Sequence, residues 1–298
     1  MLEVRCIKVE INVVYVDSSS SSPTVIHVSP KGNAVGGVTS LGDDVFVVRD
    51  YSQQKIEVYD AKTFTLQRHI TVPRLGTSYG LVACPYNNCL YASEYSSVHR
   101  VDLSGSNAVI QWSVAGSPAG LSVNSEHNLL VVSQRIFERK LQIFTTQGTV
   151  LQNIELSYIE GPRHAVQLPT GQFLVSHFGI LQLHGISLVG VDGAVVCSYG
   201  GQQGSKLTQM NEPKGLAVDR EGRVLVADSK NNRLLVINKS LSSAHEMSVS
   251  VDGGLKGPVS LWYDQSRRRL YIGEGVGVIV IDNLKDFTAS QVSHRCIC

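Results

Sequence analysis

Two histidines, His164 and His177, have the spacing in this chain that most suggests chemistry. They lie at equal distances from a turn signal, Thr170-Gly171, and a two-residue hairpin there would place them directly opposite each other on paired strands. Two imidazoles that face the same way resemble half of a zinc site, but zinc takes three or four protein ligands. No third histidine stands at a matching position, so we predict neither a metal nor a cofactor. The two histidines remain weak metal candidates.

Four carboxylates, Asp50, Glu94, Asp228 and Glu274, each end a short apolar run. A carboxylate at such a place can accept hydrogen bonds from the backbone of the following turn, and we expect that role rather than calcium binding. Arg233 follows Asp228 closely enough to hold it by a charge-assisted hydrogen bond. The sequence contains no nucleophile elbow, no zinc-protease motif and no phosphate loop. We therefore predict that the chain is not an enzyme.

Basic and aromatic residues recur in the segments around the ends of these apolar runs. Such a mixture can stack bases and neutralise phosphates, and it also suits a protein surface. We predict a protein or peptide partner and keep single-stranded RNA as the alternative; neither DNA nor a membrane is expected. The candidate binding face consists of Arg49, Tyr51, Lys55, Tyr79, Tyr95, Arg135, Phe137, Arg163, His164, His177, Phe178, Lys214, Lys230 and Arg233.

An internal repeat organises these residues. Gly215–Asp228 aligns with Gly37–Asp50 without a gap, and His164–His177 has the same interval. Three looser copies bring the anchors to positions 37, 80, 120, 164, 215 and 260. Each copy contains a strand, a tight turn, a second strand, a polar hairpin and a third strand. A period of 40 to 51 residues built from short strands is typical of propeller blades. We predict an all-β, six-bladed β-propeller that forms one domain over residues 1–298.

An open ring of blades would expose strand edges, so the ring must be closed. The last copy ends near Asp282 after about three strands, whereas the N-terminal segment has no blade of its own. We expect residues 1–30 to supply a latch strand and a loop. The latch strand would complete the sixth blade as its outermost strand.

The segment Asn211–Asn238 resembles the NHL repeat. It carries Pro-x-Gly-φ-Ala-Val-Asp, a glycine turn, Val-Ala-Asp-Ser and then Asn-x-Arg before an apolar strand. The resemblance implies an NHL-type propeller similar to the C-terminal domain of tripartite-motif ubiquitin ligases, which binds protein or RNA. It would then be the substrate-recognition part of a ligase-type system. Other relatives include an amidating lyase with channel histidines that hold zinc, so a metal-dependent lyase-like or hydrolase-like enzyme is the second alternative.

Composition limits the other function classes. Hydrophobic residues make up 43% of the chain and charged residues 17%, with a net charge of +1, which is typical of a folded domain without a strong field for nucleic acid. No apolar run is long enough to span a membrane, and the N-terminal residues do not resemble a signal peptide. We expect a cytoplasmic protein. Whether Cys84 and Cys89 are bridged is left open by the sequence.

Overall fold

The computed structural model describes residues 13–14, 24–26, 34–50, 53–135, 138–181, 183–275 and 277–284. Six sheets of short strands form a ring, which confirms the predicted all-β, six-bladed propeller. In each blade the first strand lies at the axis and the following strands lie progressively further out. The division of the chain into one domain over 1–298 stays a prediction.

The strands of each blade follow one another along the chain. Blade one contains β3 (Val35–Leu41), β4 (Asp44–Arg49), β5 (Lys55–Asp60) and β6 (Leu66–Thr71). Blade two contains β7 (Leu81–Cys84), β8 (Cys89–Glu94), β9 (Ser97–Asp102) and β10 (Val109–Ser113). Blade three contains β11 (Ser117–Val123), β12 (Leu129–Arg135), β13 (Glu138–Phe144) and β14 (Val150–Glu155).

The second half of the ring has the same order. Blade four contains β15 (Pro162–Gln167), β16 (Phe173–Phe178), β17 (Leu183–Val189) and β18 (Val195–Gln202). Blade five contains β19 (Pro213–Val218), β20 (Val224–Asp228), the short 3-10 helix η1 (Ser229–Asn231), β21 (Arg233–Ile237) and β22 (Ala244–Met247). Blade six contains β23 (Ser260–Asp264), β24 (Arg269–Gly273) and β25 (Val278–Ile281).

Two N-terminal strands, β1 (Val13–Val14) and β2 (Thr24–Ile26), complete the sheets. β2 pairs antiparallel with β25 and is the outermost strand of blade six, so the predicted closure by an N-terminal strand is confirmed. β1 pairs parallel with β22 of blade five. The sequence did not predict this second contact, because a pairing of two residues has no periodic signal.

The core lies between neighbouring blades. Six hydrophobic clusters of described residues each join strands of two adjacent blades. A central strand is therefore covered on both faces, and all five residues of β20 and of β21 are buried. This two-sided burial explains why these strands are continuous apolar runs rather than alternating ones. Cys84 and Cys89 face each other across β7 and β8 as buried free thiols.

The repeat anchors mark where the inner strands approach one another around the axis. A Cβ atom on Gly37 would lie 2.6 Å from the Leu81 nitrogen, and one on Gly120 would lie 2.3 Å from the Arg163 carbonyl oxygen. Only glycine leaves room for that backbone contact. In blade six the anchor is Ser260, whose hydroxyl oxygen accepts a hydrogen bond from the Val38 nitrogen at 3.2 Å.

Candidate functional site

The inner strands enclose an axial channel with a volume of about 700 Å³. Its wall is mostly backbone and apolar residues, among them the partly exposed Ala119, Val166 and Val259. One mouth opens on the side where the inner strands begin and where the second and third strands of each blade are joined. We call this side the loop face. A channel of this size falls within the range of ligand pockets.

Arg163 lies at the mouth of the channel on the loop face. It is the bulged residue between Pro162, which pairs with His177, and His164, which pairs with Ser176. The bulge directs the Arg163 side chain away from the ladder, and its guanidinium carbon lies 4.0 Å from the centroid of the Phe178 ring. Its Nε is buried without a hydrogen-bond partner. Burial lowers the pKa of Arg163, and Glu212 partly opposes this effect.

Lys214, Glu212 and Asp50 lie at the same mouth. The Lys214 Nζ atom is 3.9 Å from the Glu212 carboxylate. Burial lowers the pKa of Lys214, an effect that Glu212 and Asp50 oppose and that Arg163 reinforces. Burial raises the pKa of Asp50, and Lys214 counteracts that rise. Charges from blades one, four and five therefore interact across one opening.

The two histidines are not opposed, and this prediction was wrong. The connection between β15 and β16 spans residues 168–172 rather than two residues, because Gln167 pairs with Phe173. His164 points toward the neighbouring inner strands, where its Nε2 lies 3.0 Å from the Leu121 carbonyl oxygen. Its Nδ1 accepts a hydrogen bond from the Leu216 nitrogen at 3.3 Å. The two ring nitrogens of His164, in blade four, thus form hydrogen bonds with the backbone of blades three and five.

His177 belongs to a separate polar chain inside blade four. Its Nε2 lies 2.9 Å from the Ser187 hydroxyl, which is 2.8 Å from the Ser198 hydroxyl. Burial, with a smaller effect of His184, lowers the pKa of His177 to about 4. In the part of the chain that the structure describes, no three His, Cys, Asp or Glu side chains are grouped to hold a metal ion.

Arg233 lies beneath the loop face and not on it, which corrects its place among the candidate binding residues. Its Nε donates to the buried Asp228 carboxylate at 2.8 Å. Its other nitrogens donate to the carbonyl oxygens of Ser205, Lys206 and Gln209 at 2.7 to 3.0 Å. Arg233 therefore fastens the 203–212 connection to blade five, as a structural residue does.

The other predicted face residues are spread over the loop face. Tyr79 and Tyr95 are 47% and 71% exposed, and Lys55 and Lys230 are exposed as well. Arg49 is held by the Glu57 carboxylate at 3.0 Å. Three candidates are not described in full: Tyr51 and Phe137 lie outside the described residues, and only the backbone of Arg135 is described, at the end of β12.

Sequence reasoning missed the most exposed apolar side chains among the described residues of the loop face. Tyr158 is 84%, Ile180 91% and Leu181 74% exposed. Tyr158 lies in the connection from β14 to β15, and Ile180 and Leu181 lie at the tip between β16 and β17. Apolar residues in loops have no period, so a search for strands ignores them. The signal was present in the adjacent pair Ile180-Leu181, which lies in a hairpin outside the apolar strand segments.

Comparison with known proteins supports the repeat and the ring. The NHL repeat model matches residues 210–237, and no curated protein matches the chain. A hydrazine synthase structure from Kuenenia stuttgartiensis has a TM-score of 0.63 at 14% identity and covers 91% of this chain and 100% of its own. Streptogramin B lyase has a TM-score of 0.63 at 11% identity, with 88% and 97% covered. Virginiamycin B lyase from Staphylococcus aureus has a TM-score of 0.60 at 11% identity, with 90% and 90% covered.

At these identities the likeness shows the fold alone, but it corrects one prediction. Proteins named as a synthase and as lyases share this ring, so the prediction that the chain is not an enzyme was wrong. That prediction rested on the absence of familiar catalytic motifs, and their absence does not exclude catalysis on a propeller. No helix among the described residues is long and apolar enough to cross a bilayer. The chain is a six-bladed β-propeller that carries an NHL repeat in its fifth blade.

Proposed function

We propose that this propeller is a binding scaffold whose loop face takes a peptide segment of a protein partner. The observation that carries the proposal is the set of apolar tips on the loop face, where Tyr95, Tyr158, Ile180 and Leu181 of blades two to four are each more than two-thirds exposed. Several large apolar side chains exposed on one face are a feature of interaction sites. Aromatic and aliphatic anchors of this kind supply most of the binding energy of protein interfaces.

The charges near this face favour a protein over RNA. Three of the cations near this face are already paired with acids of the same chain. Arg49 contacts Glu57 at 3.0 Å, Lys140 contacts Glu155 at 3.2 Å and Lys214 contacts Glu212 at 3.9 Å. A field of paired charges gives little of the counterion release on which RNA affinity depends.

The role of substrate recognition in a ligase-type system is an extension of the same proposal. It rests on the NHL repeat of blade five and on the resemblance to the propeller of tripartite-motif proteins. The reduced thiols Cys84, Cys89 and Cys197 suit a cytoplasmic location, which is part of the proposal.

Selection of random peptides displayed on phage tests the proposal with the purified 298-residue chain. The test variant replaces the tips with serine: Tyr158→Ser, Ile180→Ser and Leu181→Ser. The matched control replaces three apolar residues on the outer strands, Val150, Leu151 and Val196, which are 44%, 54% and 57% exposed. We expect selected peptides to bind the tip variant about tenfold more weakly or worse and the control unchanged.

Two results would contradict the proposal. Selected peptides that bind the tip variant as well as the unmodified chain would place the contact elsewhere. Selection of a single-stranded RNA motif, with no peptide enriched and RNA binding lost in the tip variant, would assign the loop face to RNA instead.

A further inference from the structure

Arg163 is a half-buried cation at the channel mouth without an ion pair among the described residues. Its Nε is shielded from solvent and has no hydrogen-bond acceptor. The Phe178 ring, 4.0 Å from the guanidinium carbon, packs against the side chain, and both residues line the channel. A donor that is shielded from solvent and unpaired is costly unless something supplies the acceptor.

The neighbouring acids do not fill that place. Glu212 lies 3.9 Å from the Lys214 ammonium, and Asp50 of blade one interacts with Lys214 of blade five. Glu212 also attracts Arg163 electrostatically, but no carboxylate of the described residues forms an ion pair with the Arg163 guanidinium. One unpaired guanidinium matches one carboxylate, which it can hold by two parallel N–H···O bonds. The two acids at the mouth disfavour a ligand with a higher negative charge.

The channel wall below the mouth indicates which chemical group of the ligand lies next to its carboxylate. Partly exposed apolar residues such as Ala119, Val166 and Val259 line the channel, and its volume of about 700 Å³ leaves room for an apolar group. We infer that the channel mouth is a carboxylate-binding site, in which Arg163 binds a peptide carboxylate and the apolar part of the channel wall takes the adjoining apolar group. This inference rests on the proposed function, since it names the part of the peptide that enters the channel.

Small model compounds separate the two sources of the carboxylate. N-acetyl-leucine presents a C-terminal carboxylate, and N-acetyl-glutamic acid α-amide presents a side-chain carboxylate; the neutral counterparts are N-acetyl-leucinamide and N-acetylglutamine amide. Binding to the full chain is measured by ligand-observed NMR titration. We expect at least one acid to bind roughly tenfold more tightly than its amide, and the arm that binds identifies the source.

The variant Arg163→Gln removes the guanidinium, and Lys239→Gln removes one exposed charge in the turn after β21, outside the loop face, as the matched control. We expect Arg163→Gln to abolish the difference between acid and amide, while Lys239→Gln keeps it. Without ligand, Arg163→Gln is expected to melt at the same temperature as the unmodified chain or higher, because a half-buried charge without an ion pair has been removed. This measurement also shows that the variant is folded.

Equal binding of acid and amide, no binding of any compound, or an acid preference that survives in Arg163→Gln would each overturn the inference. These results are distinct from failure of the proposed function. Peptides that need the apolar tips but bind Arg163→Gln unchanged would overturn the carboxylate site alone. A chain that binds N-acetyl-leucine through Arg163 but selects no peptide would overturn the peptide-binding role alone.

Discussion

Replacing Arg233 with methionine tests whether the signature arginine of blade five is structural. The Arg233 side chain is 9% exposed and donates to the Asp228 carboxylate at 2.8 Å, while the Asp228 side chain is fully buried. Methionine fills much of the space but leaves the carboxylate without its cation. The carbonyl oxygens of Ser205, Lys206 and Gln209 also lose their donor.

The expected cost follows from the burial of the pair. Breaking a buried ion pair by removing one partner costs about 3–5 kcal/mol, because the remaining charge stays in a poorly solvated site. For a domain of this size, each kcal/mol corresponds to roughly 2 °C in Tm, so Arg233→Met should lower Tm by roughly 6–10 °C. The free energy of unfolding is measured by urea denaturation, followed by tryptophan fluorescence and circular dichroism.

A control and a double variant separate the pair from its surroundings. Lys62 contacts Asp43 at 3.5 Å with both side chains largely exposed, so Lys62→Met should leave stability unchanged within error. Asp228→Asn combined with Arg233→Met removes both charges and should recover part of the loss. A loss below about 1 kcal/mol for Arg233→Met, or no recovery in the double variant, would refute the assignment of a buried, coupled pair.

Three further predictions concern other parts of the ring. His177 has a pKa of about 4 in place of 6.5, so the unfolded chain takes up a proton first. The stability that the neutral form of His177 contributes is present above pH 6.5 and is lost as the pH falls toward 4. The free energy of unfolding should decrease by about 3 kcal/mol over this window. The urea midpoint of His177→Gln should therefore fall less between pH 6.5 and 4 than that of the unmodified chain. Gly120→Ala should lower the free energy of unfolding by roughly 2–3 kcal/mol, because the new Cβ would lie 2.3 Å from the Arg163 carbonyl oxygen. In the control Gly76→Ala the new Cβ meets only Glu94 Oε1, at 3.4 Å, and stability should be nearly unchanged. Deletion of residues 1–27 removes β2 and exposes the edge of β25, and it should lower the urea midpoint and promote aggregation in light scattering.

Each of these expectations has a result that would contradict it. Equal acid sensitivity of His177→Gln and the unmodified chain would show that His177 does not control the pH response. Equal stability of Gly120→Ala and Gly76→Ala would show that the inner strands are free to separate. A deletion variant with an unchanged midpoint would show that the latch strand contributes no stability.

Much of the fold was determined by the sequence alone. The anchors Gly37, Gly80, Gly120 and Gly215 recur because inner strands meet the next blade at that point, and a Cβ would collide with its backbone or side chains. This requirement is local to each repeat, so it is visible in the sequence as a glycine that recurs at a regular interval. The recurrence predicts the number of blades, the continuous apolar strands and the need for a closing N-terminal strand.

The site was decided by the tertiary structure. Asp50, Arg163 and Lys214 come from three blades, and only closure of the ring brings their charges to one opening. The direction of the Arg163 side chain depends on a bulge between Pro162 and His164, and one residue of register reverses which side chains face the axis. The same register turned His164 toward Leu121 and Leu216 and away from His177. Repeat spacing fixes which strands pair, whereas a bulge and the meeting of distant blades determine which side chains face the channel.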